Sequence, residues 1–150
     1  MNIIEVSCRG VEEPRWLTRL RTFGEHVLER LDIDGWEVSL LLCDDGVITE
    51  LNSRYRGKDT ATDVLSFPQG WFGLPRENGR GPKPAGDVVI SMETLRRQAR
   101  QYDTGEEEEL KRLLVHGILH LNGMTHDGDD RSMLELQEKI LNSLQKETIL

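Results

Sequence analysis

The chain has 150 residues, 37% hydrophobic and 31% charged, which is enough for one domain with its own core and too short for a two-domain enzyme. Its apolar runs, such as Val38 to Cys43, fall far short of the roughly 18 to 20 residues of a membrane span, and Met1-Asn2-Ile3-Ile4-Glu5 lacks the basic flank and apolar region of a secretion signal. A net charge of −8 and a pI near 5.0 speak against a protein held on nucleic acid by bulk charge.

These features predict a soluble, cytoplasmic protein with one domain over 1–150 and no membrane partner. The two cysteines, Cys8 and Cys43, lie in apolar segments and read as small buried thiols. Charge is unevenly spread: residues 1–53 carry 5 basic and 11 acidic side chains, 54–102 carry 9 and 5, and 103–150 carry 5 and 11. The basic middle third is either a solvated mixed surface or one that faces phosphates.

In chain order, Ile3 to Cys8 is short and β-friendly and predicts a first strand. Pro14 suits a first helical turn, and Trp16, Leu20, Phe23, Val27 and Leu31 recur at helical spacing before Gly35 ends the segment. Trp36 to Cys43 predicts a second strand, and Asp44 offers a cap to a helix carrying Val47, Ile48 and Leu51. Thr62 to Phe67 and Asp87 to Ile90 predict two more strands. Between them, Pro68 to Gly86 holds four of the five prolines and five of the fourteen glycines. It predicts a long loop over 68–86, either a flap beside a site or plain disorder, in which Trp71 and Phe72 stack on bases or pack back on the domain.

Ser91 can cap a helix to about Tyr102 with Met92, Leu95 and Ala99 inward. Thr104 and Glu107 form the pattern of a capping box, and Glu106 to Glu109 fall where a helix dipole favours negative charge. Met133, Leu134, Gln137, Ile140, Leu141 and Leu144 mark a last amphipathic helix.

Three of the four histidines lie in His116-Gly117-Ile118-Leu119-His120-Leu121-Asn122-Gly123-Met124-Thr125-His126. Positions i and i+4 share a helix face, so His116 and His120 can present ring nitrogens to one point. Gly123 can take the left-handed conformation that closes a helix, which lets the chain return His126 to the same point. Three neutral nitrogen donors with a fourth position open is the layout of a catalytic zinc site with one ion per chain. Asp127 is a candidate second acceptor that fixes a histidine tautomer, or a turn residue. His26, alone on the first helix, reads as a solvent-facing or packing residue.

The histidine spacing equals that of metzincin peptidases, whose motif needs a glutamate after the first histidine. Gly117 stands there, so peptide hydrolysis lacks its base. A glycine inside a helix costs about 1 kcal/mol, which points either to tight packing or to room near the metal. A phosphodiester suits such a site better, because its oxygens match an arginine fork; Arg54, Arg56 and Lys58 are the nearby cations of the segment Leu51 to Asp59.

Together with Leu51-Asn52, Tyr55-Arg56-Gly57-Lys58-Asp59, Thr62-Asp63-Val64-Leu65-Ser66-Phe67-Pro68 and Gly86-Asp87-Val88-Val89-Ile90-Ser91, the histidine motif resembles the bacterial YbeY endoribonucleases over nearly the whole chain. The resemblance implies an α/β (α+β) fold, a small mixed four-stranded sheet flanked by about five helices with a zincin-like metal site. It implies zinc on His116, His120 and His126, with His116 and Arg56 as catalytic residues. It also implies cleavage of single-stranded RNA in 16S rRNA 3′-end maturation and ribosome quality control, with the small ribosomal subunit and its assembly proteins as partners and no DNA. Rival readings are a non-catalytic ribosome-assembly factor stabilised by its metal, and a metzincin-like hydrolase without its base. The attacking group stays open between water and the RNA 2′-hydroxyl. The segment 70–85 is longer than the family's usual connection.

Overall fold

A computed structural model of the chain describes residues 1–68, 81–124 and 131–150. Strand β1 (Ile3–Arg9) leads to helix α1 (Leu17–Arg30), β2 (Trp36–Cys43), α2 (Asp45–Arg56), β3 (Val64–Pro68) and β4 (Lys83–Ser91); α3 (Met92–Gln101), α4 (Glu106–Leu121) and α5 (Arg131–Ser143) follow. The strands form one mixed sheet in the order β1-β2-β4-β3. β1 and β4 each run parallel to β2, whereas β3 runs antiparallel to β4. The expected small mixed sheet with five flanking helices is therefore present among the described residues.

Alternation along the strands divides the interior. Val38, Leu40 and Leu42 of β2 and Val88 and Ile90 of β4 face the larger core, which α1 enters with Leu20, Phe23 and Val27 and α4 with Leu110, Leu114 and Ile118. The opposite face is smaller: Cys43, Leu65, Phe67 and Val89 pack under Ile48 and Leu51 of α2. Burial at about 25 cal/mol per Å² drives both layers. α4 is the helix most enclosed by the fold, with only Arg112, His116 and His120 half-exposed from Glu109 to His120.

Local signals account for several boundaries. Asp44 accepts from the Val47 N–H at 2.9 Å and caps α2, and Ser91 accepts from the Thr94 N–H at 3.3 Å and caps α3, both as expected. Elsewhere the structure corrects the sequence reading. Pro14 precedes α1 rather than entering it, since the helix starts at Leu17 with Trp16 at its N-cap. The Thr104–Glu107 capping box does not form: Gly105 is the N-cap of α4 without a side-chain bond, and Glu107 instead accepts from the N–H groups of Ile149 and Leu150. The acidic run does occupy the first turn of α4. Leu134, expected on the apolar face of α5, is 49% exposed.

The largest correction concerns the 68–86 segment. Pro68 closes β3, and β4 begins at Lys83 rather than Asp87. Pro84 is tolerated because β3 pairs only with Gly86 to Ile90, so β4 has a single strand neighbour at that point. The β2–β4 register shifts between Glu37 and Val38, and Gly86 has φ +142° with the Phe67 carbonyl where a Cβ would sit. The flap reading, with Trp71 and Phe72, falls on 69–80 and lies outside the described residues.

Candidate active site

α4 carries the histidine pair. His116 and His120 lie one turn apart on the half-exposed face, rings edge to face with centroids 4.6 Å apart. Their Nε2 atoms are separated by 3.1 Å. Two nitrogens on a tetrahedral zinc, each about 2.0–2.1 Å from it, stand roughly 3.3 Å apart, so this pair fits two positions of such an ion. The Nδ1 atom of His116 lies 3.1 Å from Gln137 Oε1 on α5, and an amide oxygen only accepts. With Gln137 Oε1 as acceptor, this contact matches the His116 tautomer that is protonated on Nδ1, and it leaves Nε2 facing His120. These two nitrogens are donors of the kind zinc takes.

The helix ends as the motif requires. Gly123 has φ +84°, the Gly123 N–H donates to the His120 carbonyl at 3.0 Å, and the Met124 N–H donates to the Leu119 carbonyl at 3.1 Å. This is a Schellman closure, which closes the helix at Gly123, three residues after the second histidine. His126 and Asp127 lie outside the described residues. Among the described residues no group of three or more His, Cys, Asp or Glu side chains could hold a metal ion.

Gly117 answers the question its sequence position raises. A Cβ there would stand 2.6 Å from Val88 Cγ1 and 3.3 Å from Ser66 Oγ, so tight packing of α4 on the sheet is the reason for the glycine. No space for a glutamate exists on this side, which removes the metzincin base in structure as well as in sequence. Ser66 uses the close approach: its hydroxyl donates to the Gly117 carbonyl at 3.1 Å.

Arg56 reaches the same place from the other layer. It ends α2, just before Gly57 takes φ +68° as the C-cap. Its Nη2 donates to the Ser66 carbonyl at 2.7 Å, and its guanidinium lies 5.5 Å from the centroid of the buried Phe67 ring. Asn52, 4% exposed, holds the following turn by donating to the Thr60 carbonyl at 2.9 Å. Thus one residue of the edge strand, Ser66, touches Arg56 through its backbone and the histidine helix through its side chain.

A cleft of about 300 Å³ runs along β3, lined by Arg56, Val64, Leu65, Ser66, Pro68, His116, His120 and Met124. It brings together three of the residues singled out from the sequence. Other candidates among the described residues do not line it. Arg54 pairs with Glu50 at 2.9 Å and Arg97 with Asp45 at 2.8 Å, so part of the basic middle third is neutralised locally. His26 contacts Glu147 near the C-terminus, and Cys8 and Cys43 are free thiols that do not line the cleft. Gln137, read only as part of an amphipathic stripe, meets His116, a contact that the sequence reading missed; its signal was an amide at a position that periodicity assigns to the core.

The family model described as Endoribonuclease YbeY matches residues 4–145. An Endoribonuclease YbeY from Treponema denticola is 46% identical over 127 residues, covering 82% of this chain and 80% of that one. One from Aquifex aeolicus is 43% identical over 131 residues, covering 85% and 83%. The solution structure of a Thermotoga maritima protein superposes with a TM-score of 0.62 at 28% identity, covering 95% of this chain and 92% of that one. No helix among the described residues is long and apolar enough to cross a membrane. With Arg56, Ser66, His116 and His120 of the motifs lining one cleft and the family model spanning all but the chain ends, the chain belongs to the YbeY endoribonuclease family.

Proposed function

We propose that the chain, as a single domain over 1–150, is a zinc-dependent endoribonuclease that cuts single-stranded RNA in the cytoplasm. Its task is maturation of the 16S rRNA 3′ end and ribosome quality control, with the small ribosomal subunit and its assembly proteins as partners. The observation that carries this reading is the shared cleft, in which Arg56 and the His116–His120 pair flank one edge strand. His116, His120 and His126 would hold the zinc, and Asp127 would support one of them. Zinc chemistry at this place is Lewis-acid polarisation of a phosphodiester oxygen and a lower pKa for an attacking water.

The chain's own residues do the rest. Arg56 is fixed by the Ser66 carbonyl and the Phe67 face, which leaves further guanidinium N–H groups for phosphate oxygens. Its permanent charge stabilises the extra negative charge of the phosphorane-like transition state, and its preorganisation avoids reorientation during the reaction. The His116 tautomer protonated on Nδ1 keeps Nε2 a lone-pair donor. Val64, Leu65 and Met124 supply apolar walls that favour an unstacked nucleotide over solvent. A cleft of this size receives one strand, whereas an A-form duplex offers only a broad shallow groove to such a feature.

The test is cleavage of single-stranded and duplex RNA with zinc content measured on the same samples. Wild type should cut the single strand, His116→Ala and His126→Ala should lose zinc and activity together, and Arg56→Ala should keep zinc and lose rate. A single 2′-deoxy residue at the cut site separates attack by water from attack by the 2′-hydroxyl. Full cleavage by a zinc-free His126→Ala protein would overturn the reading.

A further inference from the structure

Gln137 is a buried amide in a helix that the catalytic reading does not otherwise use. It is 3% exposed and projects from α5, between Met133 and Ile140, which both belong to the larger core. An uncharged polar side chain at that depth is costly unless it is hydrogen-bonded. Its oxygen meets Nδ1 of His116 at 3.1 Å, and Nε2 of the same ring lies 3.1 Å from His120. One ring nitrogen is thus committed to α5 and the other to the histidine pair.

We infer that Gln137 is a positioning residue for the metal site: its carbonyl oxygen selects the Nδ1–H tautomer of His116 and fixes the ring plane so that Nε2 is already a zinc donor before the ion arrives. The inference rests on the zinc reading given above. A ring free to exchange tautomers would spend part of its time with a proton on Nε2, and a ring free to rotate would lose entropy on binding. Both costs fall on zinc affinity rather than on the fold. Outer partners of ligating histidines are worth about 10 to 100-fold in metal affinity. Because α5 begins at Arg131 and α4 ends at Leu121, the same contact also joins the two helices on either side of the segment that carries His126.

The test uses the full chain as wild type, Gln137→Leu and Gln137→Glu. Zinc affinity is read by competition with a chromogenic chelator, melting of the metal-free proteins gives stability, and nitrogen-15 NMR of the imidazoles gives the His116 tautomer. Gln137→Leu should bind zinc about 10 to 100-fold more weakly than wild type. Gln137→Glu keeps the acceptor and should return the affinity to wild type or better. The metal-free wild type should show Nδ1–H at His116. If Gln137→Leu and wild type bind zinc within twofold of each other, or if Gln137→Glu is as weak as Gln137→Leu, the inference is overturned. If Gln137→Leu does not fold, the wild-type tautomer decides, because a proton on Nε2 of His116 contradicts the assignment. Failure of wild type itself to bind zinc would instead strike the zinc reading, and the tautomer measurement still judges Gln137 without metal.

Discussion

Replacing Gly117 by alanine probes the contact that ties the histidine helix to the sheet. The new Cβ would stand 2.6 Å from Val88 Cγ1, 3.2 Å from Cγ2 and 3.3 Å from Ser66 Oγ. Comfortable carbon–carbon contact begins at about 3.5 Å, so α4 must back away from β4 by roughly 0.9 Å. Val88 cannot yield, since it is 0% exposed and β-branched side chains are stiff at χ1. Alanine gains about 1 kcal/mol as a helix former, while overpacking costs about 1–3 kcal/mol, leaving a net loss of about 0–2 kcal/mol. In a chain of this size that lowers the melting temperature by up to about 8 °C.

Activity should suffer far more than stability. His116 and His120 sit on the same helix and move together, so zinc content should hold. Their distance from Arg56, set through Ser66, changes. A misplacement of about 1 Å costs on the order of 10²-fold in rate. The assay pairs thermal melting with turnover of saturating single-stranded RNA at measured zinc content. A Gly117→Ala protein that melts higher than wild type and cleaves at the wild-type rate would refute the reasoning.

Three further predictions follow from individual contacts. Arg56→Lys should keep zinc yet lose cleavage by on the order of 10²-fold, nearly as much as Arg56→Ala, because a point charge cannot bond Ser66 and grip phosphate oxygens with one planar fork; rescue by lysine in a turnover assay would contradict this. Burial pushes the Cys43 thiol up to about 12, with Asp44 and Asp45 adding to it, so native protein at pH 8 should resist iodoacetamide at Cys43 and react fully once unfolded, as read by mass spectrometry of peptides. At Asp45, burial works to raise the carboxyl, but the hydroxyls of Ser91 and Thr94 and the Arg97 guanidinium outweigh it and hold it below the ordinary value of 3.8. Asp45 therefore contributes stability above that value and loses it as pH falls through its lower folded value; wild type should be more stable than Asp45→Asn in urea melts at pH 7, and the gap should shrink as pH falls below 3.8.

Local rules made much of the molecule legible in the sequence. The His116–His120 pair follows from the helical repeat alone, and Gly123 closes its helix because glycine is at ease at positive φ. Asp44 and Ser91 cap their helices as side-chain oxygens at those positions do. What escaped depends on neighbours distant in the chain. Pro84 argued against a strand, and only the short reach of β3 makes room for it. Thr104 and Glu107 matched a capping pattern, yet the C-terminal N–H groups of Ile149 and Leu150 took the Glu107 carboxylate. Periodicity placed Gln137 correctly on the inner face of α5, but nothing local says that its oxygen meets His116. Likewise, Gly117 pointed to packing or to open space with equal force until Val88 was found against it.

The central claim is that the imidazoles of α4 share a zinc ion in the cleft that Arg56 lines. Anomalous diffraction at the zinc edge, on crystals of the full chain grown with zinc, tests it most directly. The account predicts one strong peak per chain within about 2.0–2.1 Å of both His116 Nε2 and His120 Nε2. Zinc-saturated crystals with no peak between those two rings would contradict it.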